Sequence, residues 1–277
     1  MTSQPGASPN HFELSFAPSD DLLEHQRWTT YWDVIPLCRG PEPAPDWVVR
    51  DRAAVDTELG VLKGGKEADV HVLRRAVPGT DGVVLAAKRY RGEEHRSFHR
   101  SAAYAEGRRV RNTRDARAMA NKTRHGRSVA AGQWAWAEWE ALKRFWSAGV
   151  PVPYPVQLDG TELLMELITV DGEAAPRLAT TRPERPLLES YYEQARGFLG
   201  SLARAGVAHG DLSPYNVLAA GDRLVVIDLP QVVDIVANPA GADFLLRDCR
   251  NLCTWFRRRG LDVDEHALFA EVVAQAF

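Results

Sequence analysis

The sequence predicts an α+β fold built as two lobes around a cleft. Three observations carry that prediction. Short apolar runs broken by glycine turns dominate up to Tyr90. Hydrophobic residues at helical spacing take over from Ala131. A polar segment, residues 209–216, and a short hairpin after it sit among the later helices. Strands first and helices after mark segregated layers, not alternating βαβ units.

Residues 1–50 read as an N-terminal extension with a flexible start. Pro5, Pro9, Pro18, Pro36, Pro41, Pro43 and Pro45 interrupt any periodicity, and the Pro41-Glu42-Pro43-Ala44-Pro45 run is stiff and extended. Trp28, Trp32 and Trp47 give this region apolar mass, so its later part is expected to dock on the folded body. The first lobe then spans 51–168 and the second 169–277.

Residues 60–68 read as a loop rich in glycine and lysine, followed by a strand over 70–77, a turn at 78–82 and a strand over 83–90. Residues 131–148 form an amphipathic helix, because Ala135, Trp139, Leu142 and Trp146 fall at helical spacing. Gly149 stops it, and Pro151, Pro153 and Pro155 keep the next stretch extended. A hairpin turns at Asp159-Gly160, joining 154–158 to 161–168. Pro186 opens a helix that ends at Gly206. A second hairpin, 217–219 with 223–229, turns at Gly221-Asp222, and helices over 242–259 and 264–276 complete the second lobe.

Composition excludes several classes. A hydrophobic fraction of 45% is enough for a substantial core, and a net charge of -3 argues against a wholesale nucleic-acid binder. Three cysteines, Cys38, Cys249 and Cys253, are too few for a disulfide scaffold, and Cys249 and Cys253 read as buried thiols on one helix face. No apolar run approaches the ~20 residues that span a bilayer. The first ten residues lack the basic and apolar regions of a signal peptide, so no membrane partner and a cytoplasmic location are expected. Against the overall acidity, residues 88–127 carry 13 Lys/Arg and four acids. Such a segment is either a solvated helical face or a patch for RNA or another polyanion.

The chemistry concentrates in His209-Gly210-Asp211-Leu212-Ser213-Pro214-Tyr215-Asn216, followed by Val225-Val226-Ile227-Asp228. A carboxylate on a loop, Asp211, can orient and deprotonate a hydroxyl. An amide oxygen from Asn216 and a carboxylate from Asp228, brought together by the hairpin, suit Mg²⁺. That is the division of labour in phosphoryl transfer by kinases. A polar loop with ordinary capping roles is the plain alternative, and the spacing H-x-D-x4-N with a strand ending in Asp weighs against it.

The first lobe supplies the complement. Lys88 closes an apolar strand and can reach α- and β-phosphates from a cleft, so its removal is expected to spare the fold. Its carboxylate partner is Glu138 or Glu140; Glu138 is preferred, since Leu142 lies one turn later on the same face. The loop Lys63-Gly64-Gly65-Lys66-Glu67 can lay backbone N–H groups over phosphates. Residues 60–66 also match the start of a P-loop. Glu67 stands where that motif needs Ser or Thr, and strands follow instead of a helix, so the P-loop reading is rejected.

Taken together, these segments resemble the RIO family of atypical serine/threonine protein kinases, in its branch without a winged-helix domain. The resemblance runs over about residues 50–255. It rests on GKEADV, AAKRY, WAEWEAL, AGVPVPYP, LLMELITVDGEAAPRL, HGDLSPYNVL, VVIDLPQVVD and DFLLRDCRN, in that order. It implies a trimmed protein-kinase-like fold that uses ATP and Mg²⁺, with 49 residues after Asp228. Asp211 would be the catalytic base, Asn216 and Asp228 metal ligands, and Asp228 also a phosphate acceptor in an ATPase-like cycle. Met165 would be the gatekeeper, Glu166 and Ile168 the adenine-reading hinge, and Ser213, a nucleotide-binding residue, would shape the catalytic loop together with Tyr215. Gly64 departs from the family's usual Ser or Thr, and the stretch between Lys88 and Glu138 is longer than usual. The acceptor would be a protein, with the ribosomal small subunit or RNA as a partner through 88–127.

Two other functions fit parts of the pattern. A small-molecule phosphotransferase of the aminoglycoside or choline type shares H-G-D-x4-N, but the GKEADV loop and the short tail argue against it. A nucleotide-gated binding module in ribosome assembly would use the basic segment without transferring phosphate to protein.

Overall fold

The computed structural model describes residues 22–91 and 124–276. The expected flexible start and residues 92–123 of the basic segment lie outside the described residues. The first lobe is a six-stranded antiparallel sheet. Its strands are β1 (Gln26–Trp28), β2 (Val55–Lys63), β3 (Ala68–Ala76), β4 (Val83–Tyr90), β5 (Pro155–Asp159) and β6 (Glu162–Glu166), in the order β1-β2-β3-β4-β6-β5. The long helix α1 (Arg124–Ser147) enters between β4 and β5 in sequence and packs against the sheet.

Period-two alternation along β4 sorts its side chains. Leu85 and Ala87 join Leu73, Tyr154, Val156 and Leu164 in a core behind the sheet. Ala86 and Lys88 point the other way and line the cleft. From α1, Ala135, Trp139, Leu142 and Phe145 are buried, while the backbone continues helical back to Arg124. The apolar face begins only at Ala131, so periodicity reads the buried turns and misses the polar start.

Two sequence expectations change. The glycine loop is shorter than 60–68: residues 60–63 belong to β2, and the turn is 64–67. Gly60, at φ 129°, sits at a register shift beside Glu58, so this glycine marks a β-bulge within a strand. Residues 26–50 are also built into the first lobe. β1 pairs with β2, Tyr31 and Val48 are buried in the core behind the sheet, and Trp47 meets Tyr154 edge-on at 5.6 Å. The prolines that hide this segment from periodicity leave its aromatic contacts intact.

The second lobe joins β6 through the hairpin β7 (Thr169–Val170) and β8 (Glu173–Ala174). Helix α2 (Arg185–Arg204) buries Leu188, Tyr191, Phe198 and Leu199 in one core with Phe244, Leu252 and Phe256 of α3 (Gly241–Arg257). Between these helices lie β9 (Val207–Ala208), the hairpin β10 (Val217–Ala220) and β11 (Arg223–Val226), and β12 (Val233–Asp234), which pairs with β9. The last helix, α4 (Glu265–Val273), is capped by the Asp264 carboxylate, which accepts from the His266 and Ala267 amides. Cys249 and Cys253 are fully buried free thiols on α3. No helix of the described residues is long and apolar enough to cross a membrane.

Candidate functional site

A cavity of about 550 Å³ lies between the sheet and the β10–β11 hairpin. Lys63, Gly65, Lys66 and Glu67 line its upper edge, Lys88 and Glu138 its back, Met165, Glu166 and Ile168 one side, and Asp228 its floor. Gly64, Asp211, Ser213 and Asn216 are not among the lining residues.

Lys88 organises the back wall. Its ammonium donates to Glu138 at 2.8 Å and to Asp228 at 2.7 Å. Burial alone would lower its pKa, but these two carboxylates outweigh burial and raise it. Glu138 is buried and also accepts from the Tyr90 hydroxyl and from the Leu229 amide at 3.3 Å. Glu140 is exposed and pairs with Lys143 at 3.4 Å. The helix phase therefore selects Glu138. Lys88 thus forms the Lys–Glu pair the sequence suggests, but both partners are buried, so its removal is expected to reach the fold and not to spare it.

The turn at 64–67 depends on one of its two glycines. A Cβ at Gly65 would lie 2.5 Å from the Ala68 carbonyl oxygen, whereas at Gly64 the nearest atom is 3.6 Å away. Asp69 steadies the turn by accepting from the Gly65 amide at 3.3 Å and from Arg91 Nε at 2.6 Å. A strand, β3, follows this turn, which removes the helix a P-loop requires.

Met165 lies opposite Ala86 in the β4–β6 register, on the cavity side. Glu166 is held from behind: its carboxylate accepts from the Tyr154 amide at 3.1 Å. Ile168 is buried, and its carbonyl accepts from the Ala175 amide at 2.9 Å.

The segment 209–216 is held rigidly. Asp248 on α3 accepts from the Gly210 and Leu212 amides, each at 2.9 Å, and Asn251 donates to the Leu212 carbonyl at 2.8 Å. Arg247 donates to the Gly210 carbonyl. His209 is fully buried, 3.1 Å from the Ile227 carbonyl through Nε2 and 3.3 Å from the Asp211 amide through Nδ1. A carbonyl only accepts and an amide only donates, so Nε2 is the ring's donor and Nδ1 its acceptor. Asn216 donates through Nδ2 to the Asp211 carbonyl at 2.9 Å, which leaves Oδ1 as its acceptor. Ser213 Oγ accepts from the Tyr215 amide at 3.3 Å, so it caps the turn instead of facing the cavity.

Asp228 sits at φ 67°, a left-handed conformation that costs a non-glycine residue energy and recurs at functional sites. Seclusion in the cleft opposes its ionisation, but the Lys88 charge prevails and its pKa is lowered. The side chain stays 46% exposed and commits only Oδ1 to Lys88. A carboxylate oxygen here and the Asn216 amide oxygen are hard donors of the kind a Mg²⁺ ion takes. The residues fit that ion.

Three contributors have no legible role in the sequence. Tyr90 reaches Glu138 only through the fold. Asp248 lies in the DFLLRDCRN segment, where nothing local reveals that it holds a loop 36 residues upstream. Arg177 lines the cavity from the segment after β8.

Comparison with known proteins bears on the family and the fold. The family model described as the RIO domain matches residues 77–268. The RIO-type serine/threonine-protein kinase Rio1 of Haloferax volcanii is 38% identical over 215 residues, covering 78% of this chain and 68% of that protein. Serine/threonine-protein kinase RIO3 of Homo sapiens is 33% identical over 142 residues, covering 50% of this chain and 27% of its own length. The chain thus spans only about a quarter of that longer relative. Among solved structures, the Rio2 kinase–ADP/Mg²⁺–phosphoaspartate complex from Chaetomium thermophilum superposes with a TM-score of 0.58. It is 20% identical and covers 79% of this chain and 62% of that one, a likeness of fold.

Proposed function

The chain belongs to the RIO family of atypical serine/threonine protein kinases, and from that premise we propose that it transfers the γ-phosphoryl group of ATP in a Mg²⁺-dependent reaction. The observation that carries this reading is the Lys88 ammonium held between Glu138 and Asp228 at the back of a nucleotide-sized cavity. Lys88 neutralises phosphate charge there, and Glu138 keeps it in place. The backbone beside Met165 and Ile168 reads adenine, and the Gly65 turn lies over the phosphates. Asp211 takes the proton of the attacking hydroxyl. The new oxygen–phosphorus bond forms as the bond to the β-phosphate oxygen breaks, and ADP leaves. Asn216 and Asp228 would hold Mg²⁺, which would supply charge neutralisation for the phosphates when bound.

The acceptor is a serine or threonine of a protein, or Asp228 itself in an ATPase cycle like that suggested by the phosphoaspartate in the Rio2 complex. The charge of residues 88–127 supports an RNA or ribosomal small-subunit partner, and the three free cysteines suit a cytoplasmic setting. The test is ATP turnover with Mg²⁺, alone and with ribosomal subunits, and identification of the phosphorylated residue. Absence of both Mg-ATP binding and turnover overturns the reading. Salt-sensitive subunit binding without phosphorylation of protein favours the nucleotide-gated module instead.

A further inference from the structure

We infer that Arg177 is a phosphate-binding residue, paired with Lys63 as two cations, one from each lobe, that grip the phosphates of the bound nucleotide. The inference rests on the nucleotide reading above and adds a specificity-determining residue to it.

The backbone around Arg177 is pinned. Pro176 O accepts from the Ala219 amide at 2.9 Å, Arg177 bridges to Leu218 of β10, and the Ala179 amide donates to Pro214 O at 2.9 Å. Leu178 beside it is fully buried. The chain is therefore anchored on both sides of Arg177, while the arginine itself lines the cavity.

Among the described residues its side chain has no partner that would explain it. Among the described residues the guanidinium makes no hydrogen bond and no ion pair. Among the described residues the carboxylate whose charge acts on it is Asp228, whose Oδ1 is already taken by Lys88 at 2.7 Å. Partial burial holds Arg177 below the usual guanidinium range, with Asp228 opposing. An arginine that gives up water without a partner is a net cost unless a ligand provides the partner.

Lys63 completes the pattern from the end of β2. It too lacks an ion pair among the described residues and lines the same cavity. Partial burial and then the charge of Arg177 lower its pKa. Two like charges facing one cavity repel each other in an empty cleft and attract a polyanion placed between them. The guanidinium fork matches two phosphate oxygens at once, and the ammonium adds a point charge. Adenine and ribose offer these groups nothing comparable, so the pair discriminates by phosphate.

The experiment is calorimetric titration of ATP, ADP and adenosine, each with Mg²⁺, into the full chain and its variants. Arg177→Met is expected to weaken ATP and ADP binding by ~10–100-fold, the worth of a charged hydrogen-bonded contact. Adenosine affinity should stay within about 2-fold, as for a substitution away from its contacts. Arg177→Lys should recover part of the loss, since it keeps the charge without the fork. Lys63→Met should shift preference in the same direction. If Arg177→Met keeps the wild-type preference for ATP over adenosine, the inference is overturned and the phosphoryl-transfer reading stands. If Arg177→Met also loses adenosine, the exposed Lys63 position decides, and an unchanged ATP preference in Lys63→Met overturns the pair. If the wild-type chain binds no Mg-ATP, both readings fall together.

Discussion

Lys88 and Asp228 lie 140 residues apart in the chain and 2.7 Å apart in space. One is on β4 inside the sheet, the other follows β11 of the β10–β11 hairpin, and their contact spans the cleft. Because Glu138 holds the same ammonium at 2.8 Å, the two lobes and helix α1 meet at a single cation. The left-handed backbone at Asp228 is the local cost of aiming its carboxylate at that point. Fold and chemistry therefore share residues, and substitutions there should report on both.

Lys88→Met should abolish turnover and also destabilise the chain by ~3–5 kcal/mol, the cost of leaving a buried charge unpaired. Glu138 is the residue left behind, 1% exposed. Adding Glu138→Gln removes that charge and keeps an acceptor for the Leu229 amide. Chemical denaturation should show stability recovering in the double variant while activity stays absent. Equal stability of wild type and Lys88→Met would show that the ammonium does not neutralise Glu138.

Asp211 and Asp228 should separate by role. Asp211→Asn is expected to leave Mg-ATP affinity nearly intact and slow the chemical step by ~10²–10⁴-fold, as for a lost acid–base group. Asp228→Asn should raise the Mg²⁺ requirement and abolish any phosphoaspartate. Paired affinity and single-turnover measurements check this. The opposite pattern would show the two carboxylates to be assigned in reverse.

Much of this site was legible because its residues lie in short segments with strong local constraints. Asp211 and Asn216 share one loop, Lys88 closes an apolar strand, and the helical phase of Leu142 picks Glu138 over Glu140. What escaped the sequence depends on contacts between distant segments. Asp248 reads as one acid among several on a helix until its bonds to Gly210 and Leu212 are seen. Gly60 looks like loop because a bulge glycine and a turn glycine are the same letter. The two-residue strands β7, β8, β9 and β12 are too short for any period to register.

Residues 26–50 should behave as part of the first lobe. Tyr31 is 2% exposed, and its ring packs with Val48, Tyr154 and Val156 behind the sheet. Tyr31→Ala should cost ~3–5 kcal/mol, as for other buried aromatic truncations. Thermal or denaturant unfolding measures it. A change below about 1 kcal/mol would place this segment outside the cooperative unit, since surface substitutions fall in that range.

Asp248 should give the stability curve a pH dependence of its own. Burial pushes its carboxyl up to about 6, with the His209 ring, the Gly210 and Leu212 amides and Arg247 opposing. In the unfolded chain the same group titrates near ~3.9. Between those values the folded state keeps a proton that the unfolded state has released. Stability linked to this group therefore falls as pH rises from about 4 to about 6, and is flat above that range. Two pKa units correspond to ~3 kcal/mol. Asp248→Asn removes the titration but places an NH₂ group against one of the two loop amides, so it should also loosen the 209–216 segment and reduce turnover. The measurement is unfolding free energy for both chains across pH 4 to pH 8. Wild-type stability minus variant stability should decline through the acid range and then level off. A difference that stays constant with pH would show that Asp248 titrates alike in the folded and unfolded chains, its carboxylate stabilised by the loop amides as fully as by water.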